Sequence, residues 1–174
     1  MTAIYVDATT LIALGAIGEL DLLLSFDGTL VVLPVVREEI TTEPARTNCD
    51  RLCDRPTVET TMQTPAADDK RAQAILEEST VNGDVRVIAA VVAHTAADEP
   101  VAVVSDDRRV RTVARGLGAT VTGTIGVIVR AVEEGLSEAD AKAIVRRVDD
   151  HGLHMTADLR DTAVDLIETA ARSR

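Results

Sequence analysis

The 174 residues predict an α/β protein built on a parallel sheet with helices on both faces. Three observations carry this. Residues 3–6, 30–33 and 101–104 are short, unbroken apolar runs, as expected of strands buried on both faces. Each run is followed by a stretch with helical spacing. Two of the runs end directly on aspartates, Asp7 and the Asp106-Asp107 pair.

In order, residues 3–6 form the first strand, and helical stretches follow over 9–15 and 19–25, punctuated by Gly15 and Gly18. The run at 30–33 precedes Pro34, which suits a first helical turn, and the helix it opens carries Val35, Val36, Glu39 and Ile40. Residues 42–65 break the pattern. Pro44, Pro56, Pro65, many threonines and both cysteines predict a loop or mobile arm, with only 57–62 able to form a strand. Residues 66–78 read as a helix. Asn82-Gly83-Asp84 then opens a helix over 84–94 whose Val85, Val87, Ile88, Val91 and Val92 leave almost no polar face, so it is expected to be buried.

The strand at 101–104 leads into Ser105-Asp106-Asp107. The helix over 108–117 is amphipathic, with Val110, Val113, Ala114 and Leu117 at i, i+3, i+4 and i+7. Residues 120–122 form a fourth strand, and Gly123-Thr124 leads into a helix over 125–134. Ser137-Glu138-Ala139-Asp140 fits a capping box, ahead of a helix with Ala141, Ile144, Val145 and Val148 on its apolar stripe. Thr156 caps a last helix with Leu159, Ala163, Leu166, Ile167 and Ala170 on one face. Residues 1–174 thus read as a single domain, with 137–174 as C-terminal helices.

Composition excludes several classes. With 46% hydrophobic and 27% charged residues the chain is not disordered. No run of about 18 apolar residues marks a membrane span, and the first residues lack the basic region of a secretory signal. Two cysteines make no disulfide scaffold, so a reducing cytoplasm is the expected setting. Twenty-nine acidic against 18 basic residues give a net charge of −11, and Lys70 and Lys142 are the two lysines. Such a surface predicts an extreme halophile, where salt screens repulsion within about 3 Å at 1 M. It also excludes a generic basic nucleic-acid binder; any nucleic-acid contact must be local or metal-mediated.

In parallel sheets, ligands sit beyond the carboxyl ends of the strands, where Asp7, Asp106 and Asp107 fall. Glu39 follows the second strand by about one helical turn, and Asp84 stands at the start of the buried helix. Each has a plain structural alternative: Asp84 as an N-cap, Glu38 and Glu39 as a solvated helix face. Taken together, the acids converge on one edge of the sheet. Crowded carboxylates resist ionising together. A hard dication, Mg²⁺ or Mn²⁺, relieves that repulsion, lowers the pKa of an attacking water and neutralises charge in phosphodiester hydrolysis.

Four segments resemble the successive motifs of PIN-domain nucleases: Ile4-Tyr5-Val6-Asp7-Ala8-Thr9, Pro34-Val35-Val36-Arg37-Glu38-Glu39-Ile40, Asp84-Val85-Arg86-Val87-Ile88-Ala89-Ala90 and Val104-Ser105-Asp106-Asp107. Gly116-Leu117-Gly118, Gly123-Thr124-Ile125-Gly126, residues 131–136 and Gly152-Leu153-His154-Met155-Thr156 resemble a prokaryotic branch of that family near the VapC-type toxins. The resemblance implies a three-layer α/β/α sandwich and Mg²⁺- or Mn²⁺-dependent cleavage of RNA. It implies Asp7, Glu39, Asp84 and Asp107 as the metal-binding catalytic acids, with Asp106 sharing the metal role and Glu38 standing one residue from Glu39. Thr9 and Ser105 match hydroxyls that orient a carboxylate. The branch more often has Gly-Glu where this chain has Gly83-Asp84.

Arg108, Arg111 and Arg115 lie at i, i+3 and i+7 and face away from the apolar stripe. They form a candidate row of RNA-phosphate contacts, with a solvated face paired to surface acids as the alternative. Cys49 and Cys53 read as free thiols, His151 and His154 as ordinary histidines, and His94 as a residue at a helix C-terminus. The leading expectation is a metal-dependent endoribonuclease with RNA as its partner. A toxin role would add an antitoxin protein, and a homodimer is frequent in the resembled family. The alternatives are a catalytically weak RNA- or protein-binding module and a receiver-type signalling domain.

Overall fold

The computed structural model describes residues 1–61 and 63–174. Five parallel strands lie in the order β3-β2-β1-β4-β5. They are β1 (Ala3–Val6), β2 (Thr29–Val31), β3 (Val58–Glu59), β4 (Val101–Val104) and β5 (Thr120–Thr122). The register pairs Ala3 with Thr29 on one side of β1 and Val6 with Val104 on the other; Val104 in turn pairs with Thr122. β1 is buried along its whole length, as its apolar run requires.

Nine α-helices surround the sheet among the described residues: α1 (Ala8–Ala16), α2 (Pro34–Glu38), α3 (Ala45–Cys53), α4 (Ala66–Leu76), α5 (Gly83–Ala96), α6 (Arg108–Gly116), α7 (Thr124–Glu133), α8 (Glu138–Asp150) and α9 (Ala157–Arg172). α2, α4 and α6 pack around α5. α1 packs with α3, α7 and α8, and α9 lies on α7 and α8. This is the three-layer α/β/α sandwich that the sequence predicts. The core runs through both layers; Leu11, Leu14, Val87, Ile88, Val91, Ile128 and Ile167 are fully enclosed. Ser137 and Thr156 cap α8 and α9 by accepting from Asp140 N and Leu159 N.

Several expectations change. The segment 42–65 is not a loop or arm: it contains α3, whose Ala45, Cys49, Leu52 and Cys53 are buried at i, i+4, i+7 and i+8. Here the two cysteines are small apolar side chains on the inner face of a helix. Of the strand expected over 57–62, β3 keeps two residues, and Met62 lies outside the described residues. The second strand covers 29–31 rather than 30–33, because Leu33, still buried, already serves as the N-cap of α2. Residues 20–25 form a 3-10 helix. α2 is only five residues long, so Glu39 sits at its C-terminal end rather than within it. Asp84 is not a cap: Asn82 is, accepting from Val85 N at 3.0 Å. On α9, Ala163, Ile167 and Ala170 face inward, while Leu159 and Leu166 stay 43% and 45% exposed. No helix among the described residues is long and apolar enough to cross a membrane.

Candidate active site

The strand order reverses direction between β1 and β4, since β1 leads outward to β2 and β3 while β4 leads to β5. Chains at such a switch point diverge and leave a crevice beyond the strand ends. Asp7 stands there as the residue after β1, its N–H donating to Val104 O at 2.9 Å to extend the ladder. Its side chain is 1% exposed, and hydrogen bonds compensate that burial. Ala8 N donates to Oδ1 at 2.8 Å; the Ser105 and Thr9 hydroxyls donate to Oδ2 at 2.6 and 3.0 Å. Each hydroxyl also accepts a backbone N–H from the β4–α6 turn: Asp107 N donates to Ser105 Oγ within that turn and Asp106 N donates across to Thr9 Oγ1, both at 3.0 Å. Thr9 and Ser105 therefore lock the Asp7 carboxylate to the β4–α6 turn.

The two adjacent aspartates have separate tasks. Asp107 caps α6, accepting from Val110 N through Oδ1 at 2.9 Å, and Oδ2 has no hydrogen-bond partner among the described residues. Asp106 turns toward α7. Its Oδ1 accepts from Thr124 N at 2.8 Å, and its Oδ2 accepts from the Thr124 and Thr10 hydroxyls. Because the N-cap of α7 is Gly123, which has no side chain, Asp106 supplies the acceptor for that helix start. Both its oxygens accept hydrogen bonds in this task, so Asp106 ties the start of α7 to the turn that carries Asp107.

Glu39 reaches across to α5, where Gly83 N donates to Oε1 at 2.6 Å. A Cβ on Gly83 would lie 2.7 Å from both Glu39 carboxylate oxygens, so the close approach requires glycine. Glu38 lines a different cleft, together with Gln63, Thr64 and Arg86. Asp84, one residue beyond Gly83, completes the group. Burial pushes its carboxyl up to about 6, aided by the negative charges of Asp7, Asp107 and Glu39. Arg109 opposes this through a 3.5 Å ion pair with Asp84 while binding Glu78 of the α4–α5 connection at 2.5 Å. The four acids thus share one electrostatic field, although among the described residues no three His, Cys, Asp or Glu side chains stand close enough to hold a metal ion. Carboxylate oxygens are the donor type that hard dications take, and Arg109 is the cation already paired with one of them.

The expected arginine row divides. Arg108 borders a cavity with Asp106 and Asp107, Arg111 donates to Ser105 O at 3.2 Å, and Arg115 is exposed in the last turn of α6. None of the three forms an ion pair among the described residues. The spacing passed over Arg109, whose role depends on the neighbouring position of α5, and Gly83, whose role depends on Glu39. His94 joins α5 to β1 through Tyr5 Oη at 3.0 Å and pairs with Glu99, remote from this chemistry. Cys49 and Cys53 are free and buried, with Sγ atoms 4.0 Å apart.

A parallel sandwich with carboxylates beyond its central strand ends is the arrangement that the PIN resemblance implies. A family model for the PIN domain matches residues 3–169, and the chain belongs to the PIN-domain family. PIN domains are generally metal-dependent nucleases acting on nucleic acid. No curated protein and no solved structure matches the chain.

Proposed function

We propose that the protein is a divalent-metal-dependent endoribonuclease with Asp7, Glu39, Asp84 and Asp107 as its catalytic acids. The observation that carries this reading is the gathering of Asp7, Glu39, Asp84 and Asp107 at the switch point of the sheet, where burial, and after it the charges of the other three, raise the Asp84 carboxyl to about 6. A half-buried carboxyl raised by burial and by neighbouring like charges at a crevice marks a functional-site candidate. Mg²⁺ or Mn²⁺, when bound, supplies a Lewis acid and a water of lowered pKa. The chain's own residues prepare the place. Thr9 and Ser105 fix the Asp7 carboxylate by their hydroxyls. Gly83 holds Glu39 from its backbone N–H, and Asp107 keeps one oxygen free while the other anchors α6. Arg109 steadies Asp84 and offers a cation near the reacting phosphate.

The direct test is cleavage of structured and unstructured RNAs at high salt with Mn²⁺, with and without chelator and beside Asp7→Asn. Metal-dependent cutting that the variant loses supports the reading; an undiminished rate in a clean Asp7→Asn preparation overturns it. A second reading, a catalytically weak RNA- or protein-binding module, is favoured by the absence of a close-set ligand group among the described residues. Single-turnover cleavage separates the two, since a binding module retains RNA without converting it. A VapC-type toxin role adds a cytoplasmic setting, an antitoxin protein as partner and a homodimer as the working form. Co-expression with the adjacent gene product, read as relief of growth arrest, tests that extension.

A further inference from the structure

Beside the acids, on the α1 side, the surface opens into a cavity of about 430 Å³. Its apolar walls are Ile12 and Ala13 of α1 and Leu153 of the α8–α9 loop, and Asp107, Arg108 and His151 border it. We infer that this cavity receives one base of a single-stranded RNA whose neighbouring phosphodiester lies at the carboxylates. The inference rests on the nuclease reading and adds the subsite to it.

Four observations support it. Asp107 belongs both to the acid cluster and to the cavity wall, so a nucleotide seated here has its backbone beside the acids. The volume falls in the range of small-molecule pockets, roughly 300–1,000 Å³, and Ile12 remains 37% exposed. Arg108 is exposed and forms no ion pair among the described residues, although the chain carries 29 acids. A guanidinium left open at the mouth of a cavity suits a phosphate.

The fourth observation concerns stacking. Base recognition in single strands relies on rings, and this chain has one Tyr and one Phe. Tyr5 is buried against His94, and Phe26 packs on the core. His151 is the exposed ring at the cavity. Its Nδ1 must donate to Arg147 O at 2.8 Å, because a carbonyl only accepts, which leaves Nε2 of the neutral ring as an acceptor for a base N–H. Gly152, at φ +132, gives the loop the turn that brings His151 and Leu153 to the same cavity. A base inside a duplex cannot enter such a pocket, so the substrate strand is unpaired at this position.

The test uses a fluorescent single-stranded RNA and a set of the same oligonucleotides with one abasic position moved along the strand. Binding to the Asp7→Asn chain is read by anisotropy, and cutting by the wild-type chain is read in single turnover. One abasic position next to the cut is expected to weaken binding about tenfold. Ile12→Asp, on an exposed helix position, is expected to cause a similar loss, and the two losses should not multiply. His151→Ala should weaken binding and His151→Phe should restore it. Equal binding by all abasic strands, or losses that multiply, overturns the cavity assignment while continued wild-type cleavage leaves the nuclease reading standing. A wild-type chain that neither binds nor cuts any of these strands with Mn²⁺ overturns both.

Discussion

At Gly83 a single missing methyl group decides where a carboxylate lies. Alanine in the first turn of a helix ordinarily gains up to about 1 kcal/mol over glycine. Here the added Cβ meets only the far end of Glu39, which can move. Gly83→Ala is therefore expected to keep its thermal midpoint within a few degrees while RNA cleavage falls at least about tenfold. A variant with full activity would show that Glu39 does not need this position. Asp84 gives the complementary case. Its folded carboxyl is raised to about 6, whereas the unfolded chain has an ordinary carboxylate, so the folded state binds the proton more tightly. Its contribution to stability is complete below about pH 4 and is lost as pH rises through about 6. Asp84→Asn should remove that loss, adding about 1–2 kcal/mol at pH 7.5 in urea unfolding, and should abolish cleavage. A variant no more stable than wild type at that pH would refute the repulsion inferred around Asp84. That Asp7, Asp106 and Asp107 stand beyond strand ends and Asp84 in the first turn of a buried helix was legible in the sequence, because short apolar runs bounded by acids mark where a parallel strand stops. What Glu39, Asp106 and Arg109 each touch was not legible, since those contacts join residues 18 to 44 positions apart.

Among the elements, α6 and α7 both begin at the Asp106-Asp107 pair, one aspartate serving each helix. Asp106→Ala leaves Thr124 N and two hydroxyls without their acceptor and is expected to cost about 1–3 kcal/mol, lowering the melting temperature. If the loss of cleavage exceeded what the lowered stability explains, Asp106 would have a role at the acids beyond holding α7. α3 shows where pattern reading failed. Its polar composition and flanking prolines suggested a loop, yet four small or medium apolar residues at helical spacing suffice to bury it against α1. Leu52→Ala should therefore destabilise the protein by about 2–5 kcal/mol, an effect no mobile arm would show. β1, β4 and β5 were readable because their runs are short and bounded. β2 was read one residue late and two too long, because Val32 and Leu33 are as apolar as the strand but belong to the turn into α2. On α9, Leu159 and Leu166 repeat at i, i+7 and mimic an inner stripe; the smaller Ala163 and Ala170 allow the close packing that the leucines would prevent.

For the molecule as a whole, a net charge of −11 opposes compaction unless counter-ions gather around it. The thermal midpoint is expected to rise as NaCl increases from about 0.1 to 2 M, as Debye screening shortens to a few ångströms. A midpoint indifferent to salt would separate the acidic surface from any adaptation to brine. The central place of β1 has another consequence. The strand lies near residue 1 of the chain, yet its partner on the side of the acids, β4, begins only at Val101. The four carboxylates come from positions 7, 39, 84 and 107, so no nascent chain lacking the last of them carries the full set. The proposed cutting activity therefore waits on residue 107, a delay built into strand order.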